Sequence, residues 1–128
     1  MKNTNRTNSN REWRENFVKR LLSFGGNIIK MTNSFPKTPA GFAIASQLIK
    51  AATSIGANFV EAQDASSIKD FIQKLSISLR EARETVYWLH VVGVSGLAFG
   101  KSLTDNIKEG NEIVAVLVSS VKSSKAKL

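Results

Sequence analysis

The sequence predicts an all-α fold, an antiparallel up-down-up-down bundle of four helices. Four segments of about 20 residues each repeat apolar side chains at spacings of three and four, which is the pattern of a helix with one buried face. The segments between them are short and carry turn and helix-start residues. No segment shows the alternation of a β-strand. A chain of 128 residues with 42% hydrophobic residues suffices for one such domain.

The predicted boundaries follow from composition and from helix-start signals. The first ten residues are polar beyond Met1, and we predict a disordered tail at 1–10. The bundle spans 11–123, and a basic tail follows at 124–128. Its four helices are predicted at about 11–32, 39–63, 68–94 and 102–123.

Helix starts are predicted from three short patterns. Thr38 followed by Pro39 is typical of an N-cap and a first helical residue. Ser67 with Asp70 resembles a capping box, and Ser102 with Asp105 repeats that spacing.

The second predicted helix organises the chain, because it carries two parallel stripes. Its apolar stripe consists of Leu48, Ala52, Ile55, Phe59 and Ala62. Beside it runs a polar seam, which we define as Gln47, Ser54, Asn58 and Glu61. A solvent-facing helix usually shows Lys and Glu at such positions. We therefore expect the seam to be largely buried and to serve packing or assembly.

The third predicted helix carries charged and aromatic residues off its apolar stripe. Arg80 and Glu84 are i,i+4 partners on a charged helix surface that either pairs with itself or forms a subunit interface, in which Arg80 or Arg83 reaches Glu61 of a neighbour. Tyr87 and Trp88 are candidates for contact with a protein partner, since exposed aromatic residues often anchor interfaces.

The first predicted helix has its apolar stripe at Trp13, Phe17, Leu21, Phe24, Ile28 and Met31. Gly25 and Gly26 lie in its middle, where each glycine costs roughly 1 kcal/mol relative to Ala. We interpret this pair as a close backbone crossing or a kink.

The net charge of +8 is concentrated at the two ends of the sequence. Residues 1–31 carry seven Lys/Arg and two Glu, and residues 115–128 carry three Lys and no acid, whereas the middle is neutral. A neutral scaffold with basic ends is typical of a protein that binds a polyanion. The candidate nucleic-acid contacts are Arg11, Arg14, Lys19, Arg20, Lys122, Lys125 and Lys127.

Catalysis and metal binding find no support in the sequence. There is no Cys, and His90 is the only His, with Tyr87 rather than a carboxylate three residues before it. A di-iron bundle would need two Glu-x-x-His pairs. We expect no cofactor, no metal and no enzymatic activity. The lack of Cys and of a signal segment favours the cytoplasm, and no apolar run is long enough for a membrane span.

Several motifs together resemble the 23S ribosomal RNA intervening-sequence proteins, a family of four-helix bundles. The most specific is Gln47-Leu48 followed by Ser54-Ile55 with Asn58 and Glu61. Phe71, Leu75, Ser78 and the segment 81–89 extend the resemblance, which covers about residues 17–121. The fold is also similar to the accessory variability determinant of diversity-generating retroelements. The resemblance implies a ring-like homo-oligomer, most simply a pentamer, without enzymatic activity.

Our leading hypothesis is a homo-oligomer that binds RNA or another nucleic acid through its basic ends. The alternative is a protein adaptor that recruits a partner such as a reverse transcriptase through Tyr87 and Trp88. Binding to a membrane surface has no support beyond the charge of the first helix.

Overall fold

A computed structural model describes the backbone of residues 2–128 and the side chains from residue 9 onward. It consists of four helices, α1 (Lys2–Thr32), α2 (Pro39–Ala62), α3 (Ile68–Ser95) and α4 (Lys101–Lys125). No strand occurs in residues 2–128. The predicted all-α class with four helices is therefore confirmed.

The start of α1 differs from the prediction. The helix begins at Lys2 rather than near residue 11, so the segment predicted to be a disordered tail continues the helix. The physical reason is that each residue added to an existing helix gains one backbone hydrogen bond without a new nucleation step.

Helix caps follow the predicted pattern at two of three starts. The amide of Gly41 donates to Thr38 Oγ1 at 3.1 Å, and Pro39 occupies the first turn of α2. The amide of Asp70 donates to Ser67 Oγ at 3.1 Å, while Asp70 Oδ2 accepts from the Ser66 amide. That backbone hydrogen bond is the main reason why the pKa of Asp70 is lowered.

The third predicted cap is wrong. The N-cap of α4 is Gly100, at φ +86°, and no side chain caps this helix. Asp105 instead accepts from Lys101 Nζ at 2.6 Å. The helix therefore starts earlier than the Ser102–Asp105 spacing predicts.

Each helix packs against two neighbours around one core. In the described part of the chain, α1 lies beside α2 and α4, α3 also lies beside α2 and α4, and the Cα atoms of the two diagonal pairs stay more than 8 Å apart. The largest fully buried apolar side chains come from all four helices and are Phe24, Ile28, Leu48, Ile55, Phe59, Leu75, Leu89, Val92, Ile113 and Leu117. A glycine in this core brings α4 close to α3, since a Cβ at Gly110 would lie 3.0 Å from Val86 Cγ2.

The buried faces of α1 and α4 differ slightly from the apolar spacing of the sequence. Trp13 is about half exposed, although it stacks on Phe17 with ring centroids 5.3 Å apart. On α4, Ile107 and Val114, which continue the three-and-four spacing of apolar residues from Leu103, are only partly buried, whereas Asn106 is buried. Asn106 can be buried because its side-chain amide donates to the Ser102 carbonyl at 2.9 Å.

Candidate functional site

The fold brings the two basic ends of the sequence to one end of the bundle. Trp13 of α1 lines a cleft with Ser119 and Ser120 of α4. Further along α1, Arg20 contacts Glu109, which precedes those serines in α4. The N-terminal part of α1 before Trp13 and the C-terminal part of α4 after Ser120 therefore extend toward the same end of the bundle. We define the basic end as Arg11, Arg14, Lys19, Lys122, Lys125 and Lys127.

The α1 side of the basic end borders a groove of about 540 Å³ between α1 and α2. Its lining includes Arg11, Arg14 and Lys19, together with the acidic residues Glu15 and Asp64. The groove is therefore mixed in charge, with a basic excess on α1.

Most cations of the basic end are exposed and available. Arg14, Lys19 and the three lysines of α4 and its tail are exposed, and none forms an ion pair with another described residue. The lysines follow Ser120 directly, within about two helical turns. Such side chains can contact a polyanion without first losing an intramolecular partner.

Arg20 differs from the other candidate nucleic-acid contacts, because it is engaged inside the bundle. Its Nε and Nη2 each donate to one carboxylate oxygen of Glu109 at 2.7 Å, and Glu112 lies 3.9 Å away. This pairing raises the pKa of Arg20, the hydrogen bond to Glu109 being the largest cause. We therefore leave Arg20 out of the basic end and assign it to the α1–α4 contact.

The Arg20–Glu109 pair should contribute about 1 kcal/mol to stability, since both side chains remain about one-third exposed. We expect this coupling from a double-mutant cycle of Arg20→Ala and Glu109→Ala in urea unfolding. A salt concentration of 1 M should reduce this coupling energy, because it screens the two charges. A coupling energy near zero at low salt would contradict the assignment.

The polar seam of α2 is not buried in the protomer, contrary to the prediction. Gln47 and Glu61 are exposed, and Ser54 and Asn58 are half-buried. Ser54 Oγ donates to the Lys50 carbonyl at 2.6 Å, and Asn58 Nδ2 donates to the Ser54 carbonyl at 2.8 Å. The helix itself satisfies these groups, so they need no neighbouring helix. The buried polar contact between α2 and α3 is Ser78 Oγ, which donates to the Ile55 carbonyl at 2.7 Å.

On α3, Glu84 bonds to an aromatic neighbour. Its Oε1 accepts from Trp88 Nε1 at 3.2 Å, and Arg80 is exposed without an ion pair to another described residue. The pKa of the nearby Glu81 is raised, mainly because its carboxyl group is partly buried and secondly because it lies close to the charge of Glu84. The i,i+4 pairing of Arg80 with Glu84 is thus absent, and a role of either residue in assembly stays a prediction.

An apolar groove between α1 and α2 was not predicted. We call it the glycine groove. It encloses about 550 Å³ and is lined by Val18, Leu21, Leu22, Gly25, Gly26, Ile29, Thr53, Gly56, Ala57 and Val60. Leu22 is 70% exposed. The sequence contained a signal for it, namely apolar residues outside the core stripe beside two adjacent glycines.

A second exposed apolar surface lies on α3. Tyr87, Val91 and Val94 line one shallow depression of about 330 Å³ together with His90 and Ser95. Tyr87 is 62% exposed and Val94 is 93% exposed. Trp88, the other aromatic candidate for partner contact, is instead half-buried against the core.

Within the described residues, no three His, Cys, Asp or Glu side chains are grouped so that they could hold a metal ion. In the same part of the chain, none of the helices combines the length and the apolar character that crossing a membrane requires.

Comparison with known proteins gives a family. The model of a family described as 23S rRNA-intervening sequence protein matches residues 16–119. The chain belongs to this family. Among solved structures it is similar to a protein with unknown function from the S23 ribosomal protein family of Bacteroides thetaiotaomicron VPI-5482. That similarity has 32% sequence identity and a TM-score of 0.76, over 82% of this chain and 97% of the other. No curated protein matches the chain.

The 23S rRNA-intervening sequence match includes both apolar surfaces but not most of the basic end. The glycine groove and the depression at Tyr87 lie inside residues 16–119, whereas Arg11, Arg14 and the three C-terminal lysines lie outside them. Arguments about nucleic-acid contact therefore depend on this chain's own residues.

Proposed function

We propose that this 23S rRNA-intervening sequence protein is a cytoplasmic, non-enzymatic homo-oligomer that binds RNA or another nucleic acid through the basic end. The observation that carries the proposal is the position of Trp13 beside Ser119 and Ser120. It puts Arg11 and Arg14 at the same end of the bundle as the lysines that follow Ser120, while Lys19 lies about 9 Å further along α1. Neither group alone is a large patch, but together they supply six Lys/Arg side chains.

The chemistry of the basic end suits phosphate contacts that are independent of sequence. Lys and Arg release counterions from a nucleic acid, so affinity falls steeply with salt. In a homo-oligomer every copy adds the same cations, and avidity makes weak single contacts useful.

The contacts between helices support the proposed up-down-up-down order. Leu21 lies near Gly56, while Gly25, later in α1, lies near Thr53, earlier in α2. On the other side of the bundle, Gly93 lies near Leu103 and Val86 near Gly110. Assembly into a ring, most simply a pentamer, is part of the same proposal.

Reversing the charge of the basic end should remove binding. We propose the variant Arg14→Glu, Lys122→Glu, Lys125→Glu and expect a loss of ~10-fold or more in affinity for structured RNA at 0.1 M salt. Wild-type affinity should fall with log salt by ~0.7–0.9 units of slope per phosphate contact. Fluorescence anisotropy over a salt series, with mass fixed by light scattering, measures both.

The matched control is Lys30→Glu, Lys37→Glu, Lys108→Glu, which changes the net charge equally. These lysines are exposed, form no ion pair with a described residue, and lie away from the basic end. Equal losses in the two triple variants would show a general charge effect and would reject the basic end as the binding surface.

A second candidate function, a protein adaptor, is favoured by the exposure of Tyr87. If the intact oligomer binds no RNA or DNA at low salt, the adaptor becomes the leading hypothesis. Capture of a protein partner that survives nuclease and high salt, and that is lost in Tyr87→Ala, would support it.

A further inference from the structure

Trp13 lies among the residues of the basic end, and its indole is not buried in the core. The side chain is 47% exposed. It stacks on Phe17 with ring centroids 5.3 Å apart and the two planes 14° from parallel, and it meets Phe59 edge to face at 6.4 Å. Phe17 and Phe59 are both buried. Two core rings therefore fix the orientation of an indole that remains accessible to solvent.

The indole lines a cleft of about 410 Å³ between α1 and α4, which we call the Trp13 cleft. Its α4 side consists of Ala115, Val116, Ser119 and Ser120. The two serine hydroxyls form no hydrogen bond with another described residue. The cleft therefore combines an aromatic ring and small apolar side chains with two hydroxyls that a ligand can bond.

The Trp13 cleft adjoins the lysines of α4. Ser119 and Lys122 are i,i+3 neighbours, so they lie on one side of the helix. Lys122 is exposed and stands about 5 Å beyond Ser119 along the helix axis. On α1, Glu12 and Arg14 flank Trp13 with opposite charges. The positive charge beside the cleft therefore comes chiefly from α4.

An aromatic ring, hydroxyls and a neighbouring cation are together the groups that bind a nucleotide. Any base can stack on an exposed aromatic side chain, since every base has a π-face. Hydroxyls bond the polar edge of a base or its sugar, and cations contact the phosphate. In a duplex, neighbouring bases cover both faces of each base. An unpaired nucleotide therefore matches this arrangement better than a paired one does.

We propose that the Trp13 cleft binds an unpaired nucleobase, which stacks on Trp13 while Ser119 and Ser120 bond its edge and the adjoining phosphate contacts Lys122. The inference rests on the proposed nucleic-acid binding and deepens it, because it names the form of the ligand, a single strand or a loop rather than a continuous duplex. Affinity then has two components, one from phosphate contacts that depends on salt and one from stacking that depends on accessible bases.

Trp13→Ala should weaken binding of a single-stranded RNA of about 8 nucleotides by roughly 5-fold to 150-fold, the effect of losing one stacked base. The slope of affinity with log salt should stay the same, because no charge is lost. Trp13→Phe keeps a ring and should recover part of the affinity. Fluorescence anisotropy over a salt series measures these affinities, and circular dichroism checks that helix content is unchanged.

A duplex RNA and a second aromatic residue are the controls. The duplex should bind Trp13→Ala and the wild type equally, because its bases are not accessible. Tyr87→Ala removes an exposed aromatic ring from α3 and should bind the single strand as the wild type does. Equal losses of Trp13→Ala for the single strand and the duplex would show that the variant alters the basic end as a whole, and would overturn the inference.

A change of ligand tests the Trp13 cleft without altering the protein. A strand of abasic nucleotides of the same length keeps the phosphates and lacks the bases. The wild type should bind it no better than Trp13→Ala binds the normal single strand. Equal affinity of the wild type for the normal and the abasic strand would refute base stacking, while phosphate contact by the basic end would stand.

Fluorescence of Trp13 reports stacking directly. The chain has two tryptophans, so Trp88→Phe leaves Trp13 as the single indole. Single-stranded RNA should quench its emission, whereas the abasic strand should not. RNA that binds without quenching would contradict the inference alone. If neither single-stranded nor duplex RNA binds at low salt, the proposed function fails together with it, so the two failures are distinguishable.

Discussion

Phe24→Ala should lower the free energy of unfolding by about 3–5 kcal/mol, the largest effect we expect from a single substitution. Phe24 is 1% exposed. It faces Gly110 of α4, where a Cβ would lie 3.5 Å from its Cζ. Since Gly110 has no side chain, α4 offers nothing at this position that could move into the space left by the ring. The cavity should therefore persist rather than collapse.

Phe99→Ala is the control for this prediction, because it removes the same ring from a side chain that is 83% exposed. It should change the free energy of unfolding by less than about 0.5 kcal/mol. Urea unfolding followed by circular dichroism measures both variants, and the slope with denaturant should be unchanged. Similar losses for Phe24→Ala and Phe99→Ala would contradict the placement of Phe24 at the centre of the core.

Gly41→Ala should destabilise the protein by about 1–3 kcal/mol, although Ala usually favours a helix. A Cβ at Gly41 would overlap the carbonyl oxygen of Pro36. That oxygen cannot move freely, since it accepts from the Thr38 amide at 2.9 Å. Thr38 Oγ1 in turn accepts from the Gly41 amide, so relieving the overlap would disrupt the cap of α2.

Gly26→Ala makes the same chemical change at a position where a Cβ has no atom within 4 Å. This variant should raise the free energy of unfolding by about 0.5–1 kcal/mol. Both glycine variants should be compared with the wild type at one protein concentration, with the mass of each sample fixed by light scattering, so that changes in assembly do not affect the unfolding curves. The midpoints of thermal and urea unfolding should rise for Gly26→Ala and fall for Gly41→Ala. A gain in stability from Gly41→Ala would show that the loop before α2 relaxes easily.

Local patterns predicted most of the fold. All five members of the apolar stripe of α2 are buried, and the caps at Thr38 and Ser67 form the expected hydrogen bonds. These features depend on residues within four positions of each other, which a sequence displays directly. Burial on α4 follows the apolar spacing less closely, because positions one apart on the helix compete for the core. Asn106 is buried, whereas the neighbouring Ile107 is only partly buried.

The candidate site was predicted less well. Charge counting identified the basic ends, yet it could not separate Arg20 from Arg14, since the partner Glu109 lies 89 residues away. The polar seam was interpreted as buried because three of its four members are uncharged amides or a hydroxyl rather than Lys or Glu. Ser54 and Asn58 instead donate to carbonyls of their own helix, a solution that composition does not reveal.

By itself the sequence determined four helices, most of their buried faces, two of their caps and the concentration of positive charge at both ends. Each of these depends on spacing along one helix or on simple composition. Only the tertiary structure decided that the two basic ends lie at one end of the bundle, that Arg20 pairs with Glu109, and that an apolar groove lies between α1 and α2. The reason is physical: these features depend on which helices are neighbours, and that is decided by packing among side chains far apart in the chain.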